Sequence, residues 1–271
     1  MEWKNIRNNF MILKDVSFFI KKIFLSEKYQ LKKRIIRSIN KHLEEEMQIV
    51  QELCSTDKIS LDVGVFRGVY SYLLSKHSLK VVGFEANPIM FKYLDGNLTS
   101  IIKNLELYNL ALSNDEGDVG LKIPLRKKSF FKVNFEDYYE GGLATINKEN
   151  NLDGKEIHTF NIKKARLDSV QFNNKVGFIK IDVEGHEQKV LEGSVKILEN
   201  NKPNLLVEIE KRHRKLNPDY TISFLREIGY QCFVFDEAKL IEVKTYRDFP
   251  LKNIFSQIDL VDLKKLKKTI H

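Results

Sequence analysis

A short apolar strand that runs into two spaced glycines constrains this chain more than any other feature. The stretch from Ile59 to Gly68 reads Ile-Ser-Leu-Asp-Val-Gly-Val-Phe-Arg-Gly. Residues 59–63 have the apolar character of a buried strand, and apolar residues at helical spacing from Phe66 onward predict a helix. A strand, glycine turn and helix in this order let a ligand approach the backbone closely, beside the N–H groups of the helix start.

The position of Asp62 separates this turn from a dinucleotide-binding turn. The dinucleotide motif has three glycines and holds a pyrophosphate at the helix start. Here a carboxylate takes the first position, and Gly64 and Gly68 follow it. A carboxylate at the strand tip would repel a pyrophosphate but suits a cationic group. The pattern Asp-x-Gly-x-x-x-Gly resembles the first motif of class I S-adenosylmethionine-dependent methyltransferases. The alternative is an ordinary strand–helix turn of an α/β protein.

A second strand, residues 81–84, also ends in a carboxylate, Glu85. Asn87 is a good N-cap and Pro88 a good first helical residue, so a helix is predicted after it. A carboxylate at the end of the second strand can accept hydrogen bonds from both hydroxyls of a ribose. Glu85 therefore predicts a nucleoside, without choosing between S-adenosylmethionine and a nicotinamide cofactor.

Four ionisable residues follow another predicted strand, residues 178–181: Asp182, Glu184, His186 and Glu187. In an open α/β sheet the ligand crevice lies outside the carboxyl ends of the strands, so this group predicts a functional site. The simpler alternative is that Glu187 begins a helix and Lys180 pairs with one of the acids.

Residues 105–112 predict a third strand, whose tip, residues 109–113, would flank an adenine. Further strands are predicted at residues 119–123, 156–162, 203–210, 231–235, 240–243 and 253–258, with a helix at 221–228. The long loop of residues 127–154 has no steady period, which is typical of a lid or an acceptor pocket, with loop packing as the alternative. Its candidate acceptor contacts are aromatic residues and a glycine turn: Phe130, Phe131, Tyr138, Tyr139 and residues 141–145.

The net charge of +8 lies entirely in residues 1–41, which hold eleven basic and three acidic residues. This asymmetry argues against a nucleic-acid-binding face on the rest of the chain. Apolar residues at helical spacing predict two helices in this region, residues 6–24 and 31–50. We expect them to pack on the body or on a second subunit; contact with anionic lipid or with a polyanionic acceptor is the alternative.

Two distant cysteines, Cys54 and Cys232, predict neither a disulfide framework nor a zinc site, which fits a cytoplasmic protein. The longest apolar runs fall short of the roughly 18 residues that a membrane span needs. Membrane association would therefore be peripheral.

Several separate motifs, spread in order over residues 59–258, resemble the FkbM family of methyltransferases. They are Leu61-Asp-Val-Gly64 with Gly68, Phe84-Glu-Ala-Asn-Pro88, Asn109-Leu-Ala-Leu-Ser113, Lys180-Ile-Asp-Val-Glu-Gly-His-Glu187 and Leu206-Val-Glu-Ile209. The resemblance implies an α/β, Rossmann-like class I methyltransferase fold, with a seven-stranded mixed sheet and helices on both faces. We place this domain at residues 57–271, after a basic helical arm of residues 1–56.

The resemblance also implies S-adenosylmethionine as cofactor and a hydroxyl of a sugar, glycan or natural product as acceptor. The expected cofactor-binding residues are Asp62, Gly64, Val65, Phe66, Gly68, Glu85, Ala86, Asn87, Asn109, Ala111 and Asp182. A non-catalytic binding or anchoring module built on this fold is an alternative, and a nicotinamide-dependent oxidoreductase is a weaker one because of Asp62.

For the chemical step we expect His186 as the base, because the unperturbed pKa of histidine suits that task. Asp182 would lie near the reacting centre, and Glu184 and Lys180 would shape the site. No metal is expected. Two rival hypotheses stay open: Asp182 is itself the base, or Asp182, His186 and Glu208 hold a divalent cation.

Overall fold

An eight-stranded sheet lies at the centre of this molecule, whose computed structural model describes residues 26–41, 46–126, 139–147, 152, 154–209, 219–236, 239–245 and 253–257. In chain order, the strands of these residues are β1 (Ile59–Val63), β2 (Lys80–Phe84), β3 (Leu105–Tyr108), β4 (Ala111–Leu112), β5 (Gly117–Pro124), β6 (Ile157–Ala165), β7 (Val176–Ile181), β8 (Asn204–Glu208), β9 (Gln231–Asp236), β10 (Lys239–Glu242) and β11 (Asn253–Gln257).

The main sheet has the strand order β10-β9-β11-β8-β7-β1-β2-β3. The five strands from β3 to β8 in this order run parallel, and β11, β9 and β10 pair antiparallel along the other edge. All five residues of β1 are buried, as expected for a parallel strand covered on both faces. The α/β fold with a parallel central sheet is confirmed, but the sheet has eight strands where we expected seven, because β10 adds to β9.

A second sheet of three strands, in the order β4-β6-β5, stands beside the main sheet. The expectation of one strand at residues 105–112 is therefore wrong, since β3 ends at Tyr108 and β4 pairs with β6. The side chain of Asn109 donates hydrogen bonds to the backbone oxygens of Glu85 and Ala86, at 2.8 and 3.3 Å. These bonds hold the chain at the point where it leaves the main sheet.

Seven helices are seen in the described residues: α1 (Glu27–Asn40), α2 (Met47–Leu53), α3 (Val69–Leu74), α4 (Pro88–Ile101), α5 (Glu187–Glu192), α6 (Val195–Asn201) and α7 (Asp219–Glu227). The helix expected at residues 31–50 is two helices, because α1 ends at Asn40 and α2 begins at Met47. The helix expected from Phe66 begins only at Val69, after Gly68 in the left-handed conformation.

The described part of the N-terminal arm packs on the body. Leu31 and Ile35 of α1 are buried in one cluster with Val65 and with Met90 of α4, and α2 is buried against α3 and the main sheet. The outer face of α1 carries exposed basic residues: Lys28, Lys32, Lys33, Arg37 and Lys41. Contact of this arm with a membrane or a second subunit stays a prediction, as does the domain boundary at residue 56.

Among the residues that the structure describes, no helix has the length and apolar character needed to cross a bilayer. Several expectations lie outside the described residues: the helix at residues 6–24 and the acceptor contacts Phe130, Phe131 and Tyr138.

Candidate functional site

A cavity of about 260 Å³ opens where the carboxyl ends of β1, β2 and β7 meet. We call it the inner cavity. Eight of the residues expected to bind the cofactor or to act in catalysis line it: Gly64, Phe66, Glu85, Ala86, Ala111, Asp182, Glu184 and His186. The structure therefore brings the glycine turn, the second-strand carboxylate and the acid cluster together at one edge of the sheet, as their positions after parallel strands predict.

Gly64 occupies the tightest point of the glycine turn. Its φ is +89°, and a Cβ placed on it would lie 1.8 Å from the backbone oxygen of Asp182. Its N–H donates to the backbone oxygen of Phe84. Only a residue without a side chain lets the β1 and β7 loops approach this closely, which is the local reason for glycine here.

Phe66 and Glu85 form one unit across the turn. The backbone N–H of Phe66 donates to Oε2 of Glu85 at 2.8 Å, and the N–H of Asn87 donates to Oε1 at 2.9 Å. Phe66 has a positive φ of 48°, which is uncommon for a bulky residue and is stabilised here by this hydrogen bond. The carboxyl group thus faces the inner cavity with both oxygens oriented by the main chain.

Burial raises the pKa of Glu85 to about 7, and the two N–H donors oppose the shift. The carboxyl group is therefore close to half protonated at neutral pH. A ligand that donates hydrogen bonds to it would favour the ionised form, because carboxylate oxygens are acceptors only.

Asp62 does not line the inner cavity, which corrects the expectation of a direct contact. Its side chain is completely buried and accepts a hydrogen bond from the Ser71 hydroxyl. Burial raises its pKa, and the positive charge of Lys180 opposes the shift. Lys180 is also buried away from the cavity and donates to Asp182 at 2.8 Å. Lys180 thus lies between the buried carboxyl group of Asp62, with which it interacts electrostatically, and Asp182, which lines the cavity.

The other expected residues that do not line the cavity support those that do. Val65 packs among the helices, and Gly68 lies against Leu98, to which a Cβ would come within 2.4 Å. Asn87 caps α4 by accepting from two backbone N–H groups, and Asn109 holds the backbone of residues 85 and 86.

The loop between β7 and α5 is folded tightly around its own acids. Glu184 has a φ of 52° and Gly185 a φ of 90°. Oε1 of Glu187 accepts a hydrogen bond from the N–H of Gly185 at 2.8 Å, so Glu187 both begins α5 and closes the loop. The ionisable cluster thus has a structural member, Glu187, and three members that face the cavity.

Residues 141–147, which belong to the long loop, form hydrogen bonds to the loop between β7 and α5, residues 182–186, which we call the acidic loop. The Thr145 hydroxyl donates to the backbone oxygen of Glu184 at 3.0 Å, and the Asn147 amide donates to that of Gly185 at 2.9 Å. Gly141 and Gly142 line the inner cavity. The glycine turn expected to contact an acceptor is therefore placed at the site.

His186 lines the inner cavity with its Nε2 atom 3.1 Å from the Ser113 hydroxyl. Burial lowers its pKa to about 4, aided by Lys189 and Lys164 and opposed by Asp115 and Glu192. The imidazole is neutral at pH 7, so it can accept a proton. Its basicity is nevertheless far below that of ordinary histidine, and the argument from an unperturbed pKa is wrong.

Within the described ranges, no group of three or more histidine, cysteine, aspartate or glutamate side chains is placed to hold a metal ion. Asp182, His186 and Glu208 all line the inner cavity, but they do not form such a group.

A second cavity, of about 540 Å³, adjoins the first, and we call it the outer cavity. Four residues line both: Phe66, Gly141, Gly142 and Glu184. The outer cavity alone is lined by Arg67, Met90, Arg126, Tyr139, Glu140 and Leu143. Tyr139 had been expected as an acceptor contact, and the two arginines had not.

The apolar wall of the inner cavity includes Leu110, Leu112, Leu121, Ala144 and Ile146. The first two lie in the tip expected to flank an adenine and Ala144 in the expected glycine turn, whereas sequence reasoning missed Leu121 and Ile146. Leu112 belongs to β4 and Leu121 to β5, so the second sheet contributes to this wall. Alternation in residues 119–123 predicts a strand, but no local signal says which surface the strand covers.

A comparison with protein-family models identifies a methyltransferase domain in the part of the chain that contains this site. The model of the family described as "Methyltransferase FkbM domain" matches residues 62–232. None of the curated protein sequences matches the chain significantly.

Solved structures give remote likenesses. A methyltransferase FkbM from Methylobacillus flagellatus KT is 14% identical, with 75% of this chain and 44% of that protein covered and a TM-score of 0.44. This chain thus spans less than half of that protein. A SAM-dependent methyltransferase from Aquifex aeolicus is 16% identical, with 86% and 98% covered and a TM-score of 0.39. A Streptococcus mutans protein in complex with SAH is 12% identical, with 79% and 96% covered and a TM-score of 0.43.

Proposed function

The chain belongs to the FkbM methyltransferase domain family, whose cofactor is S-adenosylmethionine, and we propose that it methylates a hydroxyl of a sugar, glycan or natural product. One observation carries the proposal. The neutral imidazole of His186 lines the inner cavity together with the carboxyl groups of Asp182 and Glu184, and Glu184 also lines the outer cavity, from which a hydroxyl would approach.

The charges of the site fit a cationic cofactor. Among the described residues, Lys180 forms an ion pair with Asp182 and its charge opposes the raised pKa of both Asp62 and Glu85. Oδ1 of Asp62 is buried without a hydrogen-bond partner among these residues. Because burial disfavours the ionised forms of Asp62 and Glu85, a ligand carrying ammonium and sulfonium groups would favour those forms and be attracted by them.

Other residues fit the nucleoside part. The two oxygens of Glu85 would accept from the ribose hydroxyls, and the wall that includes Ala86, Leu110 and Ala111 would cover the base. Gly64 and Phe66 would lie against the amino-acid part. The adjoining outer cavity gives the acceptor a separate approach.

S-adenosylmethionine supplies a methyl group on a positively charged sulfur, so the protein mainly positions the acceptor hydroxyl and accepts its proton. We propose His186 as that acceptor. The Asp182 carboxylate is paired with Lys180 at 2.8 Å, whereas the imidazole of His186 is neutral. Glu184, which lines both cavities, would orient the hydroxyl between them.

The proposal is tested by transfer of a labelled methyl group to purified glycans and small hydroxyl compounds, after titration with S-adenosylhomocysteine and, separately, NAD. We expect S-adenosylhomocysteine to bind and label to enter an ether that survives mild base. Label in an ester or an amine would contradict hydroxyl methylation. Binding of S-adenosylhomocysteine with no methyl transfer to any acceptor would favour the non-catalytic alternative.

A divalent metal is tested in the same assay. Loss of transfer on adding a chelator, with recovery on adding Mg²⁺, would replace His186 as proton acceptor by metal activation of the hydroxyl.

A further inference from the structure

We propose that Ser113 and Asp115 are positioning residues for the base, because their hydrogen bonds hold His186 in the tautomer that carries its proton on Nε2. Nδ1 is then the ring nitrogen that accepts the proton of the acceptor hydroxyl. The inference rests on the proposed function, since it deepens the role that His186 has there. Ser113 and Asp115 line neither the inner nor the outer cavity, so they would act on the reaction through His186 alone.

The direction of the hydrogen bond between Ser113 and Asp115 follows from the charge of the carboxyl group. The Lys164 ammonium and the Ser113 hydroxyl both donate to Asp115, and these bonds lower the pKa of its carboxyl group. The group is therefore ionised at neutral pH and can only accept hydrogen bonds. The single proton of the Ser113 hydroxyl points to Oδ1 of Asp115, 2.9 Å away. Oδ1 of Asn114, at 3.4 Å, is a more distant acceptor for the same proton.

His186 is consequently the donor in its hydrogen bond with Ser113. Nε2 lies 3.1 Å from the hydroxyl oxygen, which has given its proton to a neighbouring oxygen and keeps lone pairs for accepting. A bare Nε2 would face those lone pairs with its own. Because the imidazole is neutral, with a pKa of about 4, a proton on Nε2 leaves Nδ1 without one. No described residue forms a hydrogen bond with Nδ1, so this nitrogen can receive the acceptor hydroxyl.

Backbone contacts on two sides fix the position of the Ser113 hydroxyl. Ser113 follows β4 and is buried, and its N–H donates to the backbone oxygen of Ala165 in β6 at 2.9 Å. Its own backbone oxygen lies against Gly193, where a Cβ would come within 2.0 Å. Gly193 follows α5, the helix that begins directly after His186. The second sheet thus holds the hydroxyl at a fixed place beside the imidazole.

The same arrangement suits the cation that forms when the base accepts a proton. The hydroxyl oxygen bonds to the methyl carbon as the carbon–sulfur bond breaks, its proton passes to Nδ1, and the imidazolium later releases a proton to water. The Nε2–H bond stays in place throughout. The charges of Asp115 and Glu192 favour the imidazolium, whereas those of Lys164 and Lys189 oppose it.

The tautomer is measured by long-range ¹H–¹⁵N correlation spectra of the full chain, with ¹⁵N in the histidine rings, at pH 7.5 and saturated with S-adenosylhomocysteine. The signals of His186 are identified by their absence from the spectrum of His186→Ala. The test variants are Ser113→Ala and Asp115→Ala. The matched control is Asp118→Ala, which removes a carboxylate that pairs with Lys163 in the same sheet.

We expect wild type to show the Nε2–H form alone. Asp115→Ala should give a mixture of tautomers, because the Ser113 hydroxyl can then donate to Nε2. With an acceptor labelled in the methyl-transfer assay, kcat should fall about 10–100-fold in Ser113→Ala and about 3–10-fold in Asp115→Ala. The affinity for S-adenosylhomocysteine should hold in both variants, and Asp118→Ala should match wild type in every measurement.

An Nδ1–H form in wild type would overturn the proposal, since Nε2 would then be the bare nitrogen. An unchanged single tautomer in Asp115→Ala, or a kcat of Ser113→Ala within twofold of wild type, would do the same. A wild-type protein that methylates no acceptor, or full turnover in His186→Ala, is a different result that counts against the proposed function. The spectra need no turnover, so in that case they still decide whether Ser113 and Asp115 set the tautomer.

Discussion

The two sides of the inner cavity are built in different ways. On the side of β1 and β2, the ligand-facing groups are held by main-chain bonds between neighbouring strands, as when Phe66 and Asn87 donate to Glu85. On the side of β7, side chains from a distant loop hold the backbone, as when Asn147 donates to Gly185. The geometry of the first side is set by one strand–turn–helix unit and the strand next to it. The geometry of the second side depends on contact between the main sheet and a loop of the second sheet.

This difference separates the tasks of the two sides. In the proposed function the cofactor lies against the side of β1 and β2, whose contacts are local, and we call this the cofactor side. The acceptor would lie against the acidic loop and residues 139–147, the proposed acceptor side, which could differ without changes in β1 or β2. Four substitutions test whether the two sides are independent.

The largest effect is expected where the two sides touch, at Gly64. In Gly64→Ala the new Cβ would meet the Asp182 oxygen at 1.8 Å in a left-handed conformation. We expect a loss on the order of 4 kcal/mol in the free energy of unfolding, measured by urea denaturation, together with loss of S-adenosylhomocysteine binding.

The matched control is Gly96→Ala in α4, where a Cβ has no neighbour within 4 Å. Alanine should stabilise this helix by about 0.5–1 kcal/mol. A Gly64 variant as stable as wild type would show that the two loops do not approach as described.

His186→Ala should act on the acceptor side alone. Loss of a general base typically lowers turnover by about 10²–10⁴-fold, and the affinity for S-adenosylhomocysteine should hold. The pKa of about 4 keeps His186 neutral in wild type, so its protonation should not lower kcat between pH 8 and pH 6.

The control for this variant is His77→Ala, in the turn after α3, which should keep wild-type kinetics because His77 lines neither cavity. Turnover of His186→Ala within a few-fold of wild type would remove the residue as base and leave Asp182 as the rival.

Glu85→Ala should act on the cofactor side alone. It removes both acceptors for the ribose hydroxyls, at a cost on the order of 2–3 kcal/mol in binding free energy, measured by titration with S-adenosylhomocysteine. The same residue predicts a pH dependence. Because its pKa is raised to about 7, the group gains a proton as the pH falls from 8 to 6, and cofactor affinity should fall with it.

In Glu85→Ala that pH dependence should disappear. Glu106→Gln, at an exposed carboxylate of β3 that pairs with Lys80, should keep both the affinity and its pH dependence. Unchanged affinity in Glu85→Ala would refute the assignment of the ribose site.

The smallest effect is expected for Asn147→Ala. It removes the hydrogen bond to the backbone oxygen of Gly185, typically worth about 1 kcal/mol, and so loosens the acidic loop. The KM for the acceptor should rise a few-fold and cofactor affinity should not change. Asn97→Ala should alter neither, because the Asn97 amide donates to Tyr93 in α4 and to Glu27 of α1, and Asn97 lines neither cavity. A fall in cofactor affinity as large as the change in KM would mean that the two sides are coupled.

The cofactor side was predictable because its signals are local. Gly64, Glu85 and the acids after β7 each follow a strand, and parallel strands place their carboxyl ends at one edge. Charge burial was not predictable. Nothing in the local sequence shows that Asp62 turns toward Ser71, or that burial lowers the pKa of His186, because both depend on surrounding elements.

The acceptor side was predictable only in outline. The long loop was expected near the site, and Gly141, Gly142 and Tyr139 are there. The break at Asn109 was missed because residues 105–112 are continuously strand-like, and the turn depends on contacts with Glu85 and Ala86. Because the break was not predicted, the location of the second sheet could not be predicted either. The position of Arg126, which follows β5, was therefore unknown from the sequence.

The separate second sheet has a consequence for how such a protein can diversify. β5 and β6 pair along eight residues and support the loop between them, which supplies Tyr139 and residues 141–147 to the site. Insertions or exchanges in that loop would alter the proposed acceptor side while the strands that position Gly64 and Glu85 keep their pairing. A change of acceptor thus requires few simultaneous mutations, so a descendant could acquire a new substrate while every intermediate still binds the cofactor.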